Sequence, residues 1–330
     1  MLMFHVKHFD CVIKNNREVP ALSIPNNEQQ PRSAPLLPPD PPALCDYEGS
    51  AYRVEFWTDA RAFEDLAERR ALHTLLPPRG ARLIEIGAGF GRLADLYAGY
   101  SQVILVEPAL SMLRQAQERL RHDPRFVFVR ANVYELPLQD QTLDTVVMVR
   151  VLHHLVDVPH ALAELRRIVR PGGAFILEFA NKRNLKSILR FALRRQTWSP
   201  FAPEPYEFAP LNFDFHPTWV LQQLQRAGFA VQRQVAVSHF RAEFFKRRWS
   251  AARLAALDSW LQRYASGLRL APSIFVQAQV AAAAPSSPPD GLFRCPACHH
   301  NALVVAADAL TCPACGQAWP QRDGIYDFIK

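Results

Sequence analysis

The chain has 330 residues, of which 49% are hydrophobic and 21% are charged, a balance typical of a globular protein with a full core. Its net charge of +7 permits anionic partners without requiring them. No apolar run approaches the roughly eighteen residues of a membrane span, and the N-terminus lacks the continuous apolar stretch of a secretory signal. Four of the six cysteines form two tight pairs near the C-terminus. This is a metal-binding pattern rather than a disulfide framework, and it predicts a reducing, cytoplasmic location.

Composition divides the chain into four parts. Residues 1–45 are rich in proline and lack apolar periodicity, which predicts a disordered tail. Residues 46–280 have the patterning of an α/β domain, within which residues 181–216 interrupt the rhythm and predict an inserted substrate lid. Residues 281–290 have linker composition. Residues 291–330 are predicted to form a separate small module.

Strands and helices alternate through the α/β domain. The predicted elements, in chain order, are a helix at about 60–76, a strand at 81–86, a helix at 90–100, a strand at 103–107, a helix at 109–122, strands at 125–130 and 143–149, a helix at 159–170, a strand at 174–180, a helix at 217–227, a strand at 231–237, a helical stretch at about 241–266 and a strand at 273–280. This alternation predicts a doubly wound, mostly parallel sheet.

A glycine-rich turn follows the first strand of that sheet. Gly87, Gly89 and Gly91 are spaced G-x-G-x-G, with Ala88 between the first two. Glycine lets a ligand approach the main chain closely. A dinucleotide-binding turn would be G-x-G-x-x-G, with its last glycine where Arg92 stands. The spacing therefore favours S-adenosylmethionine (SAM), which has no pyrophosphate, over NAD; a tight turn without any ligand is the alternative.

Further candidate cofactor-binding residues lie at the carboxyl ends of the next strands, where doubly wound sheets bind ligands. Glu107 ends the second strand, and its carboxylate can accept hydrogen bonds from both ribose hydroxyls of an adenosyl group. The other candidates are Pro108 and Met112 after the second strand, Asn132 and Val133 after the third, and Arg150 after the fourth.

Residues 81–180 resemble the class I SAM-dependent methyltransferases typified by the ubiquinone/menaquinone biosynthesis enzymes. The resemblance rests on Glu85, Gly87, Gly89, Gly91, Glu107, the LDTVVMVRVLHHL run and the Arg170-Pro171-Gly172-Gly173 turn. It implies a Rossmann-like sheet of seven strands with the last antiparallel. It also implies that Glu85 and the glycines hold the methionine part of SAM, Glu107 the ribose and Asn132–Val133 the adenine. Many relatives carry Asp in place of Asn132, whose amide oxygen can still accept from the adenine amine.

The chemistry of methyl transfer needs few protein groups. The enzyme aligns a nucleophile and excludes water, and it needs a base only if the acceptor arrives protonated. His153, His154 and His216 are the candidate catalytic residues, although each could simply cap backbone groups or pack. In similar methyltransferases the segment before the first strand folds over the cofactor, and here that segment carries Tyr47, Tyr52, Trp57 and Arg61.

The insertion is the best clue to the methyl acceptor. Its first half predicts a helix with an apolar face and a basic face, which could meet a membrane surface or an anionic partner, or pack on the core with its basic face solvated. Its second half is rich in aromatic residues and proline, which predicts a lid over the acceptor or a core-packing loop. The leading hypothesis is methyl transfer to a small or lipid-like acceptor, with peripheral membrane contact allowed.

The C-terminal module carries two C-x-x-C pairs formed by Cys295, Cys298, Cys312 and Cys315. Four thiolates on two turns predict a closed, structural zinc site, and the absence of a thioredoxin-like context disfavours redox-active dithiols. Residues 292–330 resemble the small zinc-ribbon proteins that activate RNA- and protein-directed methyltransferases. This resemblance raises the alternative of an RNA or protein methyltransferase guided by the ribbon. A further alternative, from another class, is a SAM-binding interaction protein without turnover.

Overall fold

The computed structural model describes residues 12–13, 42–43, 45–49, 57–282, 291–306 and 308–329. Most of the predicted N-terminal tail and of the linker at 281–290 lies outside the described residues, and both remain predictions. Within the described ranges, no helix is long and apolar enough to cross a bilayer.

Helices and strands alternate as the sequence predicted. The strands are β1 (Val12–Ile13), β2 (Cys45–Asp46), β3 (Gly80–Ile86), β4 (Tyr100–Val106), β5 (Phe126–Arg130), β6 (Leu143–Met148), β7 (Val169–Ala180), β8 (Tyr206–Ala209), β9 (Asn212–Asp214), β10 (Phe229–Val237), β11 (Ser273–Val280), β12 (Val304–Val305), β13 (Ala309–Thr311), β14 (Ala318–Arg322) and β15 (Ile325–Asp327). The α-helices are α1 (Ala62–Leu75), α2 (Leu110–Leu120), α3 (Val158–Ile168), α4 (Leu185–Ala192), α5 (Pro217–Arg226), α6 (Glu243–Arg248) and α7 (Ala251–Tyr264).

The main sheet has the order β10-β11-β7-β6-β3-β4-β5-β15-β14-β13-β12. Strands β3 to β7 pair in parallel with their neighbours among themselves, and β11 is antiparallel to both β7 and β10. The Rossmann-like α/β class is therefore confirmed. Among the described residues the sheet has eleven strands rather than the seven that the resemblance implied, because strands from the C-terminal module extend it.

The parallel strands are hydrophobic on both faces because helices cover both. All six residues of β6 are buried, as expected of a central parallel strand. Along β3, Leu83 packs in the cluster that contains residues of α1, α2 and α7, whereas Ile84 packs in the cluster that contains residues of α3 and α5. The glycine turn therefore follows a strand whose two faces are both packed against helices.

Two predicted helices differ from the structure. The helix expected at 90–100 is only a 3-10 turn at Ala94–Tyr97. Gly91 adopts a left-handed φ of +72°, which is not helical. Gly99 packs so tightly that an added Cβ would lie 2.0 Å from the carbonyl oxygen of Pro78. Few residues between these two glycines are left to form a helix. The helical stretch at 241–266 is divided into α6 and α7 by extended backbone at Trp249.

The C-terminal module continues the sheet of the α/β domain. Ile325 pairs in parallel with Phe128 of β5, and the backbone N–H of Arg294 donates to the carbonyl of Pro137 at 3.0 Å. Without β15, strand β5 would present an edge of unpaired backbone groups. The last strand of the C-terminal module therefore covers that edge.

The module also shares its hydrophobic core with the α/β domain. Phe328 is buried, and its ring lies 5.4 Å from that of Phe293 and 5.5 Å from that of Trp319. Phe328 and Trp319 belong to the same buried cluster as Val129 and Leu138. The two parts should therefore unfold together.

We expect Phe328→Ala to lower the free energy of unfolding by about 3 kcal/mol, because it leaves a cavity in the shared core. Circular dichroism during urea unfolding should still show one transition. Val305→Ala, at a side chain that is 71% exposed, is the matched control and should change stability by less than about 0.5 kcal/mol. Two separate transitions, with only one shifted by Phe328→Ala, would contradict the shared core.

Candidate active site

A pocket of about 950 Å³, including its open mouth, lies at the carboxyl ends of the parallel strands. The predicted cofactor residues that line it are Glu85, Gly87, Ala88, Gly89, Glu107, Pro108, Met112, Val133 and Arg150. Gly91 and Asn132 are not among the lining residues. Four strand ends thus bring most of the predicted cofactor residues into one cavity.

The glycine turn needs its glycines for two different reasons. Gly87 has φ +67°, and an added Cβ would lie 2.3 Å from a methyl group of Val151, so any side chain would clash. Gly91 has φ +72° and faces α2, where an added Cβ would lie 3.2 Å from Leu120 and 3.3 Å from Ala116. Gly91 therefore packs the turn against the helix, whereas Gly87 shapes the floor of the pocket.

Glu107 ties the glycine turn to the start of α2. One of its carboxylate oxygens accepts from the backbone N–H of Gly89 at 2.9 Å, and the other accepts from the N–H of Ala109 at 3.1 Å. Each carboxylate oxygen has a second lone pair, so both can also accept from hydroxyl groups in the pocket.

Glu85 is a buried acid in the pocket with an unsatisfied oxygen. Its Oε2 atom has no hydrogen-bond partner among the described residues. Burial raises the pKa of Glu85 to about 8, and the neighbouring Glu107 adds to this rise. A buried carboxyl with an unsatisfied oxygen fits a cationic ligand such as the ammonium group of a bound amino acid.

Arg150 has a left-handed φ of +60°, which is unusual for a non-glycine residue. Its backbone N–H donates to Glu178 at 2.9 Å, and its guanidinium forms an ion pair with the fully buried Glu68. Arg92 also pairs with Glu68, at 2.9 Å, and both guanidinium groups lie over the ring of Trp57. Glu68, which pairs with both arginines, was not predicted from the sequence. The available signal was its position on the buried face of α1.

The loop after β5 separates the roles of two predicted adenine-binding residues. The side-chain oxygen of Asn132 accepts from the backbone N–H of Tyr134 at 2.9 Å, which forms a tight turn. Val133 is buried and lines the pocket. Asn132 therefore shapes the loop, while Val133 presents its side chain to the cavity.

Two of the three candidate histidines are hydrogen-bonded within the protein, and one of them, His154, also lines the pocket. The Nδ1 atom of His154 lies 2.9 Å from the carbonyl oxygen of Leu211, and its Nε2 atom lies 2.9 Å from the hydroxyl of Tyr47. Because a carbonyl only accepts, Nδ1 carries the proton and Nε2 accepts from Tyr47. His216 caps α5, its Nδ1 accepting from the N–H of Thr218 at 3.3 Å, and it does not line the pocket.

His153 differs from the other two histidines. Neither of its ring nitrogens forms a hydrogen bond with the described residues, and its ring lies 3.9 Å from that of His154. Burial lowers the pKa of His153 well below its usual value, and the charges of Arg150 and Arg241 add to the effect. Its imidazole is therefore neutral at pH 7, with one unprotonated nitrogen, and it is not among the residues that line the pocket.

The upstream segment contributes to the pocket in part. Tyr47 and Trp57 line it, as the resemblance to methyltransferases implied. Arg61 instead lies 3.8 Å from Glu64 in an ion pair on α1. Tyr52 lies outside the described residues.

The four C-terminal cysteines converge on one point. Their sulfur atoms all lie within 4.8 Å of one another, with 3.8 Å between Cys295 and Cys315 and 3.4 Å between Cys298 and Cys312. A zinc–sulfur bond of about 2.3 Å gives a tetrahedron with edges of about 3.8 Å, so this spacing fits a single tetrahedral metal ion.

Comparison with known proteins identifies the central domain. Residues 84–177 match the family described as a methyltransferase domain. A 27-O-demethylrifamycin SV methyltransferase from Amycolatopsis mediterranei is 34% identical over 131 residues, covering 37% of this chain and 48% of that protein. A ubiquinone/menaquinone biosynthesis C-methyltransferase from Rubrivivax gelatinosus is 26% identical over 213 residues, covering 62% of this chain and 79% of that protein. A solved SAM-dependent methyltransferase from Thermotoga maritima is 21% identical with a TM-score of 0.49, covering 71% of this chain and 97% of that one.

The chain spans only part of the length of most of these relatives. The first five curated relatives are covered over only 30% to 56% of their own length. The matched segment, 84–177, runs from within β3 into β7 and therefore contains the glycine turn and the strand ends that build the pocket. The similarity to methyltransferases therefore lies in the domain that carries the pocket.

Proposed function

We propose that the protein transfers the methyl group of SAM to a small or lipid-like acceptor. The observation that carries this proposal is the buried Glu85 carboxyl with an unsatisfied oxygen, in the same pocket as the glycine turn and Glu107. A ligand that combines a cationic amino acid with a ribose matches both carboxylates at once, and SAM is such a ligand.

Each part of the pocket then has a distinct task. Glu107 accepts from the ribose hydroxyls while it holds the glycine turn, and Val133 packs against the adenine. Glu85 pairs with the ammonium of the methionine part, which removes the cost of its unsatisfied oxygen. When bound, SAM supplies a methyl group already activated by the sulfonium. The chain itself has to orient the acceptor, exclude water and, for a protonated acceptor, take up a proton.

His153 is the proposed base on the acceptor side. It follows β6, its imidazole is neutral, and its nitrogens are free of described partners. His154 acts differently, because it connects Tyr47 to Leu211 of the insertion and so holds the insertion next to the pocket. Relatives named for rifamycin and for quinone substrates support an acceptor with an apolar ring or chain.

The ribbon is proposed to hold one structural zinc ion. Cys295 and Cys312 are buried, and four thiolates leave no open coordination position for chemistry. The ribbon-guided RNA or protein methyltransferase and the SAM-binding protein without turnover remain the alternatives. The transfer experiment described below separates them, because only an enzyme moves label and the labelled fraction identifies the acceptor class.

We expect Glu107→Ala to weaken SAM binding at least about 100-fold, because each hydrogen bond to a charged acceptor contributes about 1.5–3 kcal/mol. Isothermal titration calorimetry measures this directly. Glu118→Gln removes a carboxylate that is 71% exposed on the neighbouring helix α2, and it should bind SAM as the wild type does. Equal affinities of the wild type and Glu107→Ala would refute the proposed ribose contact.

We expect SAM binding to release protons and to strengthen as the pH rises from about 6 to 8. The free protein holds Glu85 protonated below its pKa of about 8, and a bound cation favours the carboxylate, so binding lowers that pKa. Affinity should rise by up to about tenfold per pH unit and level off above pH 8. Calorimetry in two buffers of different ionisation enthalpy counts the protons. Glu85→Gln should lose this slope; a wild type with flat affinity across the range would show that Glu85 does not face the cation.

We expect His153→Gln to lower the rate of methyl transfer by about 100-fold or more while SAM affinity stays unchanged, as general bases contribute this much. The assay incubates SAM carrying a labelled methyl group with small-molecule, lipid and RNA extracts and follows the label. His216→Asn, which keeps a capping side chain, is the control and should transfer at the wild-type rate. A full rate in His153→Gln would remove this residue from the mechanism.

A further inference from the structure

The apolar side of α4 faces solvent. Leu185, Leu189 and Leu193 are each at least 50% exposed, and they recur every four residues along one side of the helix and its C-cap. The helix buries only Ser187. The sequence left open whether this apolar face packs on the core, and the structure places these leucines outside it.

A second exposed apolar stripe runs along α7. Leu257, Trp260 and Tyr264 are between 49% and 64% exposed, and the rings of Trp260 and Tyr264 lie 5.3 Å apart. Leu268, which follows the helix, is 61% exposed. The opposite side of α7 is buried against the protein, so this stripe lies on the outer surface.

The two stripes meet at the start of α4. The backbone N–H of Leu185 donates to the carbonyl of Leu270 at 2.9 Å, and the guanidinium of Arg183 donates to the carbonyl of Leu268 at 3.3 Å. The end of the α7 stripe at Leu268 therefore lies next to the start of α4. We call this joined surface, built from residues 183–195 and 251–270, the docking face.

The charge of the docking face has one sign. Its basic residues are Arg183, Lys186, Arg190, Arg194, Arg195, Arg253, Arg263 and Arg269. The single acidic residue in these two segments, Asp258, is fully buried and accepts hydrogen bonds from the backbone N–H groups of Ser238 and His239. The face therefore exposes no carboxylate to offset its positive charge.

Exposed leucines beside arginines, with a tryptophan and a tyrosine in the same stripe, are the composition of helices that lie in the interface of an anionic bilayer. Nucleic acid would use the arginines but leave the leucine stripe in water. We propose that the docking face binds the surface of an anionic phospholipid bilayer, inserting its leucines and Trp260 among the lipids. This inference rests on the proposed function, because a lipid-like acceptor would reach the insertion from the bilayer surface.

Vesicle sedimentation of the full chain tests this proposal. The wild type should sediment with vesicles of phosphatidylcholine containing roughly one third phosphatidylglycerol, not with phosphatidylcholine alone, and less at high salt. The double variant Leu189→Asp/Leu193→Asp should lose at least about tenfold in partitioning. Arg190→Gln/Arg194→Gln should lose about fivefold per residue. Val304→Asp/Val305→Asp is the matched control, because these exposed valines lie in the ribbon.

Calorimetry with SAM on the same variants separates this inference from the proposed function. All of them should bind SAM as the wild type does, so loss of vesicle binding with intact SAM binding supports the docking face. A wild type that ignores anionic vesicles would overturn it, as would equal partitioning of the wild type and Leu189→Asp/Leu193→Asp. The proposal would also be overturned in favour of nucleic acid if an RNA pool bound tightly and displaced the vesicles. In that case Leu189→Asp/Leu193→Asp would bind the RNA as the wild type does.

Discussion

The parallel pairing of β3, β4, β5 and β6 is the constraint on which the rest of the structure depends. It places the carboxyl ends of four strands at one edge, so that residues distant in sequence line one pocket. The hydrogen bond from the Gly89 N–H to Glu107 then locks the turn after β3 to the loop after β4. The same arrangement buries Glu85, and this burial raises the pKa of its carboxyl group to about 8.

The extension of the sheet by the ribbon reaches this same edge. Arg130, at the end of β5, forms an ion pair with Asp327 of β15 at 3.0 Å, and its Nε atom donates to the carbonyl of Pro108 at 3.0 Å. Pro108 follows Glu107 directly. One arginine side chain thus connects the ribbon to the loop that carries the proposed ribose-binding acid.

The local patterns in the sequence were sufficient for most of the fold and much of the pocket. Alternating apolar runs predicted the strands and helices, and glycine spacing with Glu107 predicted which strand ends form the site. The sequence could not predict the pairing of β15 with β5, since nothing local encodes a contact between residues almost two hundred positions apart. It also could not assign the histidines, because their roles depend on which carbonyl or hydroxyl lies near each ring nitrogen. Glu68, a charged residue at a core position, becomes understandable only once Arg92 and Arg150 are seen beside it.

A crystal structure of the chain with S-adenosylhomocysteine bound tests the central claim most directly. We expect density for the ribose hydroxyls against the Glu107 carboxylate, for the adenine against Val133, and for the ammonium group against Glu85. Density for the ligand elsewhere, or a pocket without density at saturating ligand, would contradict the central claim.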